Sequence, residues 1–337
     1  MLLGLIGLFG FGFCAHAESR WVRLRTDNFD MYSTAGDSAA RETLRNFEQV
    51  RSFFAQTSRR GRSDQQRVFI VGFNSETEYT PYRINEFAAA YYFPGAGRDY
   101  IVMSKVGYDT FPTAVHEYVH LVAQHLGLNF PPWFNEGYAE LYSTLRPQGD
   151  KIMVGAPISG RLQQMLQEKW TPLAAIVAAD MNSPYYNEKS RAGSLYNEGW
   201  ALVHMLTLSQ PYGGKTNDLM AALHSGQPSQ AALERIYGRT LAQIDKDLQA
   251  YIRSDTFRAA LVPARLDKSK EAIPAEAAAE FDVELALADL MNRPGKEKEV
   301  RERLEKLANE NGGRPEPWAG LAYLAWRQGR TGGAAEL

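Results

Sequence analysis

Apolar residues at Leu44, Phe47, Val50 and Phe54 recur every three or four positions through a charged stretch from about 38 to 56, and predict a helix with one buried face. Ahead of it, Trp21–Arg25 and Phe29–Tyr32 are short strand-like runs. Two denser apolar runs, RVFIVGF (Arg67–Phe73) and DYIVMS (Asp99–Ser104), predict buried strands. From Pro112 on the periodicity is helical, over about 112–126, 133–144, 159–169, 193–209, 216–224, 228–236 and 240–252. Strands first and helices afterwards predict an α+β domain over 18–262.

The stretch 263–337 has a different rhythm. Leu287, Ala288, Leu290, Arg293 and Gly295 recur as Leu321, Ala322, Leu324, Arg327 and Gly329, an offset of 34 residues. A period of this length in helical sequence resembles a tetratricopeptide repeat, in which stacked helix pairs cover one another's apolar faces. At the other end, Leu2–Phe13 is an apolar run followed by Cys14-Ala15-His16-Ala17. The run is too short to span a bilayer but suits the core of a signal peptide, with Ala15-x-Ala17 as the cleavage pattern. Residues 1–17 are therefore expected to direct export to the periplasm or beyond, with no stable membrane span after cleavage. Phe-Gly-Phe before Cys14 lacks the small residues of a lipoprotein signal.

Composition narrows the field. Hydrophobic residues at 45% and aromatics at 12% are those of a packed globular protein. A net charge of −2 gives no global basic field for nucleic acid, and the cluster Arg59, Arg60, Arg62 reads as a solvated loop. The one cysteine, Cys14, leaves with the leader, so disulfide and thiol chemistry are not expected in the mature chain.

Of the six histidines, two stand four apart in HEYVH, His116–His120, with Glu117 after the first. On a helix opened by Pro112 and closed at Gly127, His116 and His120 lie about 40° apart on one face. Val115, Val119, Val122 and Leu126 form a separate apolar stripe. Two imidazoles at this spacing converge on one zinc ion, and a glutamate beside them can take a proton from water held there. His125 points away from the pair. A catalytic zinc takes three protein ligands, and the next helix carries Glu136 and Glu140 on one face.

HEYVH followed by Asn135-Glu136-Gly137-Tyr138-Ala139-Glu140 resembles the gluzincin zinc metallopeptidases, and most closely their peptidase MA-like members in exported bacterial proteins. The resemblance implies a thermolysin-like arrangement, a small sheet followed by helices with the active-site helix among them. It implies one Zn²⁺ on His116, His120 and Glu136, with Glu117 as general base and then acid. Glu140, separated from His120 by nineteen residues as against fifteen for Glu136, competes by thermolysin-like spacing, and is otherwise a carboxylate that holds a ligand histidine. Tyr196, in SLYNEGWALVHML, matches the tyrosine that stabilises the oxyanion in aminopeptidase N-like relatives. His204, further along, reads as a packed histidine.

The segment YYFPGAGRDYIVMS has no glutamate to hold a free substrate amine, so internal cleavage of a peptide or protein substrate is expected rather than aminopeptidase action. Tyr100–Ser104 is expected to be an edge strand that pairs with the substrate backbone. The repeats are expected to bind a protein partner. Two other readings stay open: a silent scaffold with a peptidase-like domain, and a zinc hydrolase of a non-peptide amide or ester.

Overall fold

Alternation along the strands decides which layer each side chain meets. The computed structural model describes residues 20–57, 67–95, 97–187, 189–254, 259–264 and 273–330. The expected leader and the arginines at 59, 60 and 62 lie outside them. The strands are β1 (Val22–Arg25), β2 (Phe29–Ser33), β3 (Val68–Gly72), β4 (Ala90–Pro94), β5 (Asp99–Met103), β6 (Arg146–Gln148), β7 (Lys151–Val154), β8 (Ala260–Pro263) and β9 (Ala275–Ala277). The main sheet runs β4-β5-β3-β2-β1-β9, with β5, β3 and β2 parallel and the other pairings antiparallel. A small antiparallel sheet, β6-β7-β8, stands apart.

Both faces of the main sheet are covered, which is why β3 and β5 read as continuous apolar runs. Leu24, Phe29, Met31, Ile70, Ile101 and Met103 face one way and join the main core, with helices α1 (Asp37–Thr57), α3 (Phe111–His125) and α4 (Pro132–Ser143). Tyr32, Val71, Tyr91, Tyr100 and Val102 face the other way, together with Tyr79 of the single-turn α2 (Glu76–Tyr79). The helices predicted after Pro112 are present with ends moved by a few residues: α5 (Ser159–Gln167), α8 (Lys189–Leu208), α9 (Thr216–His224), α10 (Ser229–Tyr237) and α11 (Leu241–Ile252). Short α6 (Leu173–Ala178) and α7 (Pro184–Asn187) precede α8 and were not foreseen. The molecule is a mixed α+β structure.

One expectation is corrected. Tyr100–Ser104 is not at the edge: β5 lies between β3 and β4, and the edge is β4.

The chain past 263 is built into the same body. β9 pairs with β1, and α12 (Glu280–Met291) lays Val283, Ala286, Leu287 and Leu290 on the second face of the sheet. α13 (Glu297–Glu310) and α14 (Glu316–Arg327) stack onto the far side of α12 through Leu285, Val300, Leu304, Leu321 and Leu324. Several of the residues that recur at an offset of 34 are held by the fold. Gly295 and Gly329 both take positive φ, 86° and 71°, where a side chain would be strained. Arg293 donates to the carbonyls of Pro81, Tyr82 and Arg83, and Arg327 donates to the carbonyl and side chain of Asn292.

Candidate metal centre and cleft

The α3 helix ends at Gly127, whose φ of 63° lets the Leu128 N–H turn back to the Ala123 carbonyl at 2.9 Å. Its buried face is broader than the predicted stripe. Ala114, Val115, Tyr118, Val119 and Leu121 are all in the core, while Val122 is only partly covered. Tyr118 packs among Phe29, Phe47 and Phe54, which fixes the rotation of the helix and so the direction of its histidines. Pro131 and Pro132 open α4 against it.

The third partner is positioned by a backbone contact between α4 and α8. A Cβ on Gly137 would lie 2.4 Å from the Gly199 carbonyl oxygen, and one on Gly199 would lie 2.7 Å from that of Trp133. Both glycines follow an Asn-Glu pair, Asn135-Glu136 and Asn197-Glu198, and only a residue without a side chain allows this approach.

At the crossing, three donor atoms converge. His116 Nε2 and His120 Nε2 are 3.0 Å apart, and Glu136 Oε2 is 3.2 Å from the first and 3.5 Å from the second. For zinc–ligand bonds of about 2.0–2.1 Å in tetrahedral geometry, ligand atoms stand roughly 3.3 Å apart. The observed separations bracket that value. Glu136 Oε2 is buried and makes no hydrogen bond, a costly state for a carboxylate oxygen unless a cation completes it. Burial would raise the Glu136 carboxyl, but the two imidazoles outweigh it and hold the group down at about 2, so it stands ready as an anion. The group His116, His120 and Glu136 can therefore hold a metal ion.

Glu140 does not join the three. Its Oε1 lies 3.5 Å from His116 Nδ1, on the far side of the ring, and is clamped by Arg161 Nη2. Such a contact orients a ligand imidazole. Arg161 also donates to Asn197 Oδ1 at 2.9 Å, and its guanidinium sits 5.7 Å over the Tyr196 ring. No local pattern in the sequence pointed to Arg161.

Glu117 lies beside the pair in a cleft of about 760 Å³ that also takes in Tyr92, Gln124, Leu128, Phe130, Met181 and Tyr196. Its Oε2 accepts the backbone N–H of Tyr92 at 3.0 Å. That N–H belongs to the edge strand β4, so the sheet edge and the acid are held together. Burial raises the Glu117 carboxyl above its ordinary value, against the pull of His116, His120 and the Tyr92 N–H. The Tyr196 ring is 6.5 Å from that of His116, on the same cleft.

The other two histidines of interest are accounted for. His125 Nε2 meets Asp99 Oδ2 at 2.6 Å, and Tyr92 donates its hydroxyl to Asp99 Oδ1 at 2.7 Å, tying the end of α3 to β4 and β5. His204 is fully buried between the Tyr251 hydroxyl at 3.0 Å and the Gly155 carbonyl at 2.9 Å, and burial lowers it to about 4. It is the packed histidine that its helix suggested. No described helix is long and apolar enough to cross a membrane. A scan against protein-family models finds no match to the chain, and neither does a search of curated proteins.

Proposed function

We propose that the protein is an exported zinc-dependent peptidase of the gluzincin kind, cutting peptide bonds within a chain. The observation that carries this is the bare, buried Glu136 Oε2 facing two imidazole nitrogens, with Glu117 on the same face of α3 and opening on the same cleft. His116, His120 and Glu136 would hold the ion. Zinc, when bound, supplies Lewis acidity and makes water acidic enough to lose a proton near neutrality.

The chain's own groups do the rest. Glu117, with Oε2 engaged by the Tyr92 N–H, takes the proton of the attacking water on Oε1 and later gives it to the leaving amine. Its raised affinity for protons suits both tasks. Tyr196 turns its phenol toward the oxygen of the scissile carbonyl as charge develops there. β4, an edge strand beside Glu117, is where an extended peptide can add its backbone. Glu140 and Arg161 keep the His116 ring and the Tyr196 helix in register. The stacked α12–α14 helices, with Trp318 and Trp326 exposed, offer a surface for a protein partner in the manner of tetratricopeptide repeats.

The test is cleavage of a peptide library by zinc-loaded protein beside Glu117→Gln, read by mass spectrometry. Internal cuts that vanish in the variant are expected. Intact peptides from folded, zinc-replete protein would sink the reading and leave a scaffold or a non-peptide hydrolase.

A further inference from the structure

The cleft is not uniform along its length. At one end stand the ionisable groups, His116, Glu117, His120 and Glu136. Beyond His120, along the end of α3 and the turn that follows it, the lining is Ala123, Gln124, Gly127, Leu128, Asn129 and Phe130, none of them charged, and the uncharged Asn135 and Met181 line the same cleft. This end is a built compartment rather than a loose rim. The turn at Gly127 sets Leu128, and the Asn129 N–H is held by His224 Nδ1 of α9 at 3.3 Å. Phe130 is edge-packed on Phe134, 5.0 Å between ring centres, and lies partly buried against the main core. Met181, in the turn between α6 and α7, also lines the cleft and is 59% exposed, so an apolar thioether there meets water.

We propose that this compartment is a specificity pocket that takes an uncharged, apolar side chain of the substrate peptide beside the scissile bond. The inference rests on the peptidase reading for its substrate class. Leu128, Phe130 and Met181 supply apolar contact, and methionine adapts its shape to side chains of different outline. The amides of Gln124, Asn129 and Asn135 serve the peptide's backbone without favouring either sign of charge. A carboxylate or ammonium placed there loses hydration and finds no opposite charge, whereas leucine or phenylalanine loses only unfavourable contact with water. Discrimination comes from both gain and penalty.

Binding separates this idea from catalysis. The protein would be the zinc-loaded Glu117→Gln chain, and the probes dye-labelled alanine peptides with one variable position, Leu, Phe, Asp or Lys, followed by fluorescence anisotropy. Leu and Phe peptides are expected to bind at least about tenfold more tightly than Asp or Lys peptides. Adding Met181→Glu, a change at an exposed position, should weaken the Leu peptide about threefold or more and strengthen the Lys peptide. Equal affinity for charged and apolar peptides, or Leu and Lys affinities that Met181→Glu leaves unchanged, overturns the pocket. Selective binding without any cleavage by the unmutated protein keeps the pocket and sinks the peptidase reading. Cleavage without apolar preference in binding does the reverse, and no binding by any peptide ends both.

Discussion

Replacing Gly137 by alanine tests whether the backbone contact between α4 and α8 sets the position of Glu136 in the candidate metal centre. The new methyl would sit 2.4 Å from the Gly199 carbonyl oxygen, 2.6 Å from its carbon and 2.8 Å from a Val203 methyl. Carbon rarely approaches a carbonyl oxygen closer than about 3.3 Å, so α4 and α8 must part by roughly 0.9 Å. Neither obstacle on the Gly199 side is a flexible side chain, so rotation cannot relieve it. Overpacking of this kind costs about 1–3 kcal/mol, and the better helix propensity of alanine returns at most about 1. A net loss near 1–2 kcal/mol is expected in urea unfolding, beside Gly160→Ala, where nothing lies within 4 Å of the added carbon and no loss is expected. The larger effect falls on function. Glu136 is the neighbour of Gly137, and a ligand displaced by most of an ångström no longer meets His116 and His120, so zinc affinity in a chelator competition should drop at least about tenfold. A Gly137→Ala protein with parental stability and parental zinc affinity would refute the claim that this contact positions the ligand.

Glu198 gives a test at the other end of the second Asn-Glu-Gly. It is 4% exposed, its Oε1 accepts the Thr171 N–H at 2.8 Å, its Oε2 has no hydrogen bond, and burial pushes its carboxyl up from 4.5 to about 7. The folded protein then keeps a proton between pH 4.5 and 7 that the unfolded chain has released, so this group's contribution to stability falls as pH rises through that window and is level above it. The loss amounts to about 3 kcal/mol, and Glu198→Gln should be more stable than the parent at pH 8 and match it near pH 4, measured by chemical unfolding at each pH. An unchanged difference between the two proteins across pH would exclude a neutral Glu198. Tyr196→Phe should lower kcat by about ten- to a hundredfold with little change in KM if the phenol acts only as charge develops; a change in KM alone would make it a binding residue. Glu140→Gln should weaken zinc by about ten- to a hundredfold without abolishing it, as befits a carboxylate on the outer nitrogen of His116, while total loss of zinc would make Glu140 a ligand.

How much of this was legible follows from the range over which each feature is set. HEYVH could be read directly, because the 3.6-residue turn of α3 alone brings His116 and His120 to one face. The helices α1, α9 and α11 were legible for the same reason. Glu136 was reachable only through its motif. Spacing along the chain left Glu140 in contention, and the crossing of α3 and α4 put Glu136 on the Nε2 side and Glu140 on the Nδ1 side of His116. β4 escaped notice because AYYFP does not alternate strongly, and its place at the edge belongs to sheet order, which the sequence of one strand does not carry. Arg161 shows the limit most plainly. Nothing around it in α5 marks it, yet it joins Glu140 and Asn197, residues of two other helices. By itself the sequence determined the spacing of His116 and His120, most helices and the 34-residue recurrence, since these are local patterns along the chain. Only the tertiary structure decided the side on which Glu136 meets His116, the edge strand, the union of α12 with the sheet and the uncharged end of the cleft, because each is set by the packing of residues distant along the chain.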